Sequence, residues 1–200
     1  MPIKQDNEIT VKIKGSIEEF TANILEKGFK LVDEFKMDDT YFVPKDLDLN
    51  AMSCRKILSK AILVRDIEDF TENVKTKLIT YKKKDINENG EILNQEIFDV
   101  DIENIEDAKA FLRAIGYEEI MQIFEIDKVY EKDGFAFAVK DIRNGDKLIE
   151  VELSENNEKL NSIDKLIETL NSFNISIYTD NYFVKKAEIE LEKILKSRKK

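Results

Sequence analysis

The stretch NEITVKIKG, Asn7 to Gly15, alternates two kinds of side chain. Ile9, Val11 and Ile13 are apolar, whereas Glu8, Thr10, Lys12 and Lys14 are polar or charged. A strand sends successive side chains to opposite faces. The segment therefore predicts a strand with one apolar stripe and one charged stripe. The apolar stripe needs a covering layer, and the charged stripe either meets water or lines an interior.

The same alternation recurs along the chain. KLIEVEL (147–153) sets Ile149, Val151 and Leu153 against Glu150 and Glu152. IFEIDKVY (123–130) sets Phe124, Ile126 and Tyr130 against Glu125 and Asp127. FAFAVKD (135–141) sets Phe135, Phe137 and Val139 against Ala138 and Lys140. AILVR (61–65) puts Ile62 and Val64 opposite Leu63 and Arg65, and LITYK (78–82) puts Thr80 and Lys82 on one face. Two architectures produce this pattern. One is an open antiparallel sheet with helices on one face and water on the other. The other is a closed antiparallel barrel with a charged lumen, whose charges pair with each other, a metal or a ligand because a lone buried charge is costly.

Composition narrows the chemistry. With 200 residues, 42% hydrophobic, the chain has material for a core; at 37% charged it has no run approaching the roughly 18 apolar residues of a spanning helix. MPIKQDNEIT at the start lacks the apolar region of a targeting signal. The single cysteine, Cys54, excludes an internal disulfide and fits a reducing cytoplasm. Beside Arg55 and Lys56 it is either an activated thiol or a small packing residue. Histidine is absent, which removes serine–histidine and cysteine–histidine catalysis and histidine metal sites. A net charge of −10 disfavours nucleic acid and anionic membranes as partners.

Local signals order the elements. SIEE (16–19) is a capping box opening a helix that ends near Gly28. FKLVDEF (29–35) follows as a strand, and DDTYFVP (38–44) reads as a strand end or turn. A short helix is expected over 49–58, then strands at AILVRDI, TKLITYKKK and EILNQEIFDV, the last two joined at Asn89-Gly90. A helix from about Ile102 to Ile115 stops at Gly116. Three meander strands turn at Asp133-Gly134 and Asn144-Gly145. A helix over Ile163 to Asn171, a strand near ISIY (175–178) and a helix from about Asn181 close the chain, with Glu192 and Lys196 at i, i+4 spacing. LEKGFKLVDEF and LRAIGYEEIMQIF echo each other as helix, glycine, aromatic and strand. No linker divides the chain, so one domain over 1–200 is expected.

In order, these motifs resemble the CYTH domain, the fold of class IV adenylyl cyclases and thiamine triphosphatases, also called triphosphate tunnel metalloenzymes. EITVK is similar to the family's Glu-x-Glu-x-Lys at Glu8 and Lys12 and departs at Thr10. DTYF (39–42) resembles Asp-x-Tyr-Phe. ILVR resembles Leu-Arg-x-Arg, keeping Arg65 and replacing the earlier arginine by Leu63. TYK (80–82) is intact, NQEIF keeps Glu96 alone and carries Asn94 and Phe98 at the other motif positions, and the closing pair Glu150 and Glu152 is intact. The family's Lys-x-Arg is replaced by Glu125 and Asp127, and its following aspartate by Lys140, as though charges were exchanged between neighbouring strands. The motifs cover about residues 6–153, with a C-terminal strand and helix at about 161–198.

The resemblance implies an α+β fold: a closed or nearly closed antiparallel β-barrel, or tunnel, of about eight strands with helices packed outside. It implies a triphosphate-containing small molecule as ligand and Mg²⁺ or Mn²⁺ as cofactor. Catalytic roles fall on Lys12 and Glu8, phosphate contact on Arg65, Lys82 and Lys12, and metal ligation on Glu8, Glu150, Glu152 and Glu96. Arginine offers a planar fork for phosphate oxygens, and carboxylates are hard ligands of the kind Mg²⁺ accepts. Either adenylate cyclase-like or triphosphatase-like chemistry is consistent with this set. The alternative is a catalytically degenerate domain that binds an anionic or nucleotide-like ligand without turnover, motivated by Thr10, Leu63, Glu125 and Asp127. Outside the family, an interaction domain with a wet sheet stays open.

Overall fold

A computed structural model describes residues 8–88, 92–152, 163–175 and 186–198. Among these, eight strands and five helices follow the order β1 (Glu8–Lys12), α1 (Ile17–Glu26), β2 (Lys30–Pro44), α2 (Cys54–Leu58), β3 (Ile62–Asp69), β4 (Val74–Ile86), β5 (Ile92–Asp101), α3 (Ile105–Ala114), β6 (Tyr117–Lys132), β7 (Phe135–Ile142), β8 (Lys147–Glu152), α4 (Ile163–Ser172) and α5 (Lys186–Ser197). The strands form one sheet in the order β1-β8-β7-β6-β2-β3-β4-β5. The α+β expectation holds. Two compact units divide the chain, one of 1–5, 36–124 and 187–200, the other of 6–35 and 125–186. The long strands β2 and β6 contribute a half to each, and the units are described in turn.

In the second unit, β1 pairs with β8, β8 with β7, and β7 with β6, all antiparallel. Asp133 and Gly134, both at positive φ, make the tight β6–β7 turn that Asp-Gly predicts. One face of these strands presents Val11, Ile13, Tyr130, Phe135, Phe137, Val139, Ile149 and Val151 to Phe20 and Ile24 of α1 and to Leu166 and Leu170 of α4. Phe29 and Phe173 join them; the Phe29 ring meets Phe173 edge-on at 5.1 Å and Phe173 stacks on Phe135 at 5.8 Å. The expected capping box starts α1: Ser16 Oγ accepts from the Glu19 amide at 3.1 Å, and the Glu19 carboxylate accepts from the Ser16 amide at 3.3 Å. Gly28 at φ +87° ends that helical segment.

In the first unit, α3 covers Phe42, Ile62, Val64 and Ile79 with Ala108 and Leu112. Asn104 caps it by accepting from the Glu106 and Asp107 amides, and Gly116 at φ +92° follows it. The internal echo thus takes physical form: α1–Gly28–β2 and α3–Gly116–β6 are each a helix, a left-handed glycine and a long strand.

Two expectations need correction, and two open readings resolve. DDTYFVP is a strand end rather than a turn: it forms the last residues of β2, which stops at Pro44, and Asp39 to Val43 are buried within the sheet. The short helix begins only at Cys54, where the Ser53 hydroxyl accepts from the Lys56 amide. Lys14, expected beside Lys12 on the lining, lies past the end of β1 and is exposed. In β6 the charged face proves to be an interior one: Glu125 and Asp127 are fully buried, Tyr130 of the other face is buried against α1 and α4, and Phe124 and Ile126 are half-buried. The Asn89-Gly90 turn, most of ISIY and the chain before Lys186 that was expected to be helical lie outside the described residues.

Phe137 contacts four rings. Phe137→Ala is expected to cost about 3–5 kcal/mol, whereas Phe111→Ser, at an exposed position of α3, should stay within about 0.5 kcal/mol. Urea unfolding of both variants measures this, and equal losses would refute the assignment of the α1–α4 face as core.

Candidate functional site

The face of the second unit turned away from α1 and α4 carries polar residues in register. Thr10 pairs with Glu150, and Glu150 with Ala138. Lys12 pairs with Leu148, Leu148 with Lys140, and Lys140 with Asp127. This face is not wet: Thr10 is 2% exposed, Lys140 3%, and Glu125 and Asp127 0%. Three carboxylates converge on the Lys140 Nζ, with Asp127 at 2.5 Å, Glu150 at 3.0 Å and Glu125 at 3.6 Å. Lys186, the first residue of α5, also pairs with Glu125. Thr10 donates its hydroxyl to Glu150 Oε2 at 3.4 Å, and Lys12 pairs with Asp146 at 2.7 Å.

Burial alone would lower the Lys140 pKa, but Glu150, Glu125 and Asp127 together hold it well above the ordinary lysine value, so it stays an ammonium. Burial pushes the Asp127 carboxyl up to about 6; Lys140 pulls the other way and Glu125 adds to the rise. The second oxygens, Glu125 Oε2 and Asp127 Oδ1, are buried with no hydrogen-bond partner among the described residues. The exchanged charges of β6 and β7 therefore satisfy one another only in part.

In the first unit, the face away from α3 holds Arg65, Leu63, Thr80, Lys82 and Asp39. Register sets Arg65 beside Leu78 and Leu63 beside Thr80. Arg65 grips Asp39 with two parallel bonds, Nε to Oδ1 at 2.7 Å and Nη2 to Oδ2 at 2.8 Å. The Asp39 side chain is 1% exposed and that of Arg65 19%, so the guanidinium keeps an accessible edge. Thr80 donates to Asp99 at 2.6 Å. Lys82 is half-buried on the same strand face as Thr80. Leu63, where the family has an arginine, is buried at 4% exposure.

Of the implied metal ligands, the described side chains Glu150 and Glu96 are each held by other partners and fit a divalent ion poorly. Both Glu150 oxygens are engaged, one by Lys140 and one by Thr10. Glu96 pairs with Lys83 at 3.2 Å, and by register it sits on the β4–β5 face opposite Lys82. Glu8 and Glu152 are cross-strand partners in the backbone; their side chains lie outside what the structure describes. Among the described residues no group of three or more Asp, Glu or Cys side chains is arranged to hold a metal ion. Cys54 is no activated thiol either, since burial first, then Glu192 and Glu188, push its pKa up. Arg55 beside it is bound to Glu188 at 2.8 Å.

Sequence reasoning missed Lys186, which lies 61 residues from Glu125. It placed Asp39 in the DTYF motif but missed its ion pair with Arg65, which lies 26 residues away.

The sequence matches the CYTH domain family over residues 6–198. A protein of Methanocaldococcus jannaschii, named a putative adenylate cyclase, is 26% identical over 187 residues, covering 92% of this chain and 97% of that protein. Among solved structures, the PH1819 protein of Pyrococcus horikoshii superposes with a TM-score of 0.62 at 19% identity, covering 93% of this chain and 99% of that one. An adenylyl cyclase homologue of Hippeastrum, described as putative and as revealing a dominant triphosphatase activity, superposes with a TM-score of 0.57 at 14% identity, covering 90% and 91%. At these identities the structural likenesses speak for the fold.

The Asp127 carboxyl titrates at about 6 in the folded protein against 3.8 unperturbed. Folding therefore favours its protonated form. Its contribution to stability is complete below the unfolded value and is lost as pH rises through the folded one. Urea unfolding of wild type and Asp127→Asn at about pH 4.5 and about pH 7 isolates this contribution: the wild-type-minus-variant difference should fall at the higher pH. A flat or rising difference would contradict the assignment.

Proposed function

The chain belongs to the CYTH domain family, and we propose that it binds and processes a triphosphate-containing small molecule. The observation that carries this reading is the Arg65–Asp39 pair within a chain that matches the family almost end to end. A guanidinium held by a buried carboxylate and still partly exposed is fixed in orientation, the preorganisation that phosphate recognition rewards. Lys82 supplies a point charge on the neighbouring strand, and the family resemblance adds Lys12 as a phosphate contact and Lys12 with Glu8 as catalytic groups. Attack by water on the terminal phosphorus would make the protein a triphosphatase, in line with what is described for the Hippeastrum protein. Attack by a ribose 3′-hydroxyl on the α-phosphorus would make it a cyclase, in line with the name of the archaeal relative. In either case the cations stabilise charge that builds on the phosphate oxygens.

The buried Lys140 cluster favours a second reading, binding without turnover. Carboxylates bound to a resident ammonium do not help to activate a nucleophile.

A thermal-shift titration with tripolyphosphate tests the binding claim. At about 100 times the dissociation constant, a ligand selective for the folded state adds about 2.7 kcal/mol. Lys82→Ala should abolish most of the shift. It is preferred to Arg65→Ala, which would strand the buried Asp39 at a cost of about 3–5 kcal/mol. No shift at millimolar ligand would remove the triphosphate reading. Steady release of phosphate or pyrophosphate from a nucleoside triphosphate or tripolyphosphate, lost in Lys12→Ala, would decide for turnover over binding alone.

A further inference from the structure

We propose that the Lys140 ammonium is the resident cation of the Glu125, Asp127 and Glu150 cluster, occupying by covalent attachment the role a divalent ion would otherwise fill, so that this cluster takes up no Mg²⁺ or Mn²⁺. The inference concerns metal alone and goes beyond the triphosphate reading.

Three observations lead to it. First, the cluster is built around Nζ: Asp127, Glu150 and Glu125 approach it from β6 and β8 at 2.5, 3.0 and 3.6 Å. Three carboxylates around one point is what a hard cation seeks, and here the point is a side-chain nitrogen. Second, the ammonium is held there. Lys140 stands on β7, hydrogen-bonded between β6 and β8, opposite Asp127 on one side and Leu148 on the other. Its side chain is 4% exposed. Third, the charges nearly balance. Glu125, Asp127 and Glu150 face Lys140 and Lys186, leaving a single negative charge in excess. A divalent ion placed among the same oxygens would make the cluster net positive beside a fixed ammonium. Mg²⁺ also demands several oxygens at about 2.0–2.1 Å, and both Glu150 oxygens already accept from Lys140 and Thr10.

Removing the ammonium should therefore create a metal site. The experiment titrates the full-length protein with Mn²⁺ alone, reading free Mn²⁺ by electron paramagnetic resonance and the unfolding midpoint in parallel. Wild type and Glu150→Gln should give superimposable Mn²⁺ curves, and the wild-type midpoint should not rise with Mn²⁺. Lys140→Ala should bind Mn²⁺ at least about tenfold more tightly than wild type, the size of effect that ligand-shell changes produce, and its midpoint should rise with added Mn²⁺. If Lys140→Ala is unfolded without metal, recovery of its far-ultraviolet circular dichroism on adding Mn²⁺ supports the proposal. Failure to recover with any divalent ion overturns it. A folded Lys140→Ala that gains no Mn²⁺ affinity also overturns it, as does wild-type Mn²⁺ binding that Glu150→Gln weakens about tenfold or more. No phosphate is present, so these outcomes are independent of whether a triphosphate binds.

Discussion

A lysine carried into the interior of a sheet must be met by oxygen on every side that lacks water, and Lys140 is met by carboxylates from both flanking strands. Desolvation works against its charge; Glu150, Glu125 and Asp127 together more than restore it. The strands are thereby locked in register twice over. On one face, Val139, Ile149 and Val151 interdigitate with the residues of α1 and α4. On the other, Asp127 must stand opposite Lys140 and Glu150 opposite Thr10. A slip of one residue would turn every one of these side chains to the wrong face. It would expose the apolar stripe and leave three carboxylates in the core without a cation. Such a cluster adds less to net stability than its charges suggest, because each ion gave up hydration. What it enforces is one pairing among several that the apolar alternation would tolerate.

The first unit handles its polar face differently. There the cation is an arginine, the buried partner is a single aspartate, and the pair is bidentate. Arginine is weakly hydrated and planar, so it can bury one edge against Asp39 and leave the other accessible. Lys140 has no such division: its three protons radiate from one atom, and three carboxylates surround it. One face thus presents a partly exposed guanidinium, and the other encloses its ammonium among carboxylates.

Much of this could be read from the sequence, because the relevant signals are local. Alternation in EITVK, FAFAVKD and KLIEVEL fixed the faces, the capping box and Gly28 bounded α1, and Asp133-Gly134 gave the β6–β7 turn. Even the partnership of Lys140 with Asp127 was legible as a charge exchange between adjacent strands. The failures share a cause. Asp38-Asp39 is turn-forming locally, yet β2 runs through it and stops only at Pro44 because its neighbours in the sheet bury the segment. Alternation left open whether Glu125 and Asp127 met water or an interior; they are buried because their counter-ions come from β7 and α5. Lys186 is too distant in sequence for any pattern to link it to Glu125. Glu96 is a different case: its parity relative to Lys82 across the β4–β5 pair is a local matter, and a motif position was followed where register would have placed it on the opposite face.

That separation of faces explains how the fold can persist while its chemistry changes. Val11, Ile13, Phe137 and Ile149 hold α1 and α4 without reference to what Thr10, Lys140 and Glu150 are doing on the opposite side. Packing on the apolar face asks for volume and shape; the polar face asks only that its charges nearly cancel. Exchanging charges between neighbouring strands leaves the apolar face untouched, and here Lys186 supplies a further cation beside Glu125. Superposition on solved structures at 13–19% identity is therefore a statement about the first requirement. Whether a metal or a lysine supplies the cation belongs to the second, and it has to be read residue by residue from the ion pairs themselves.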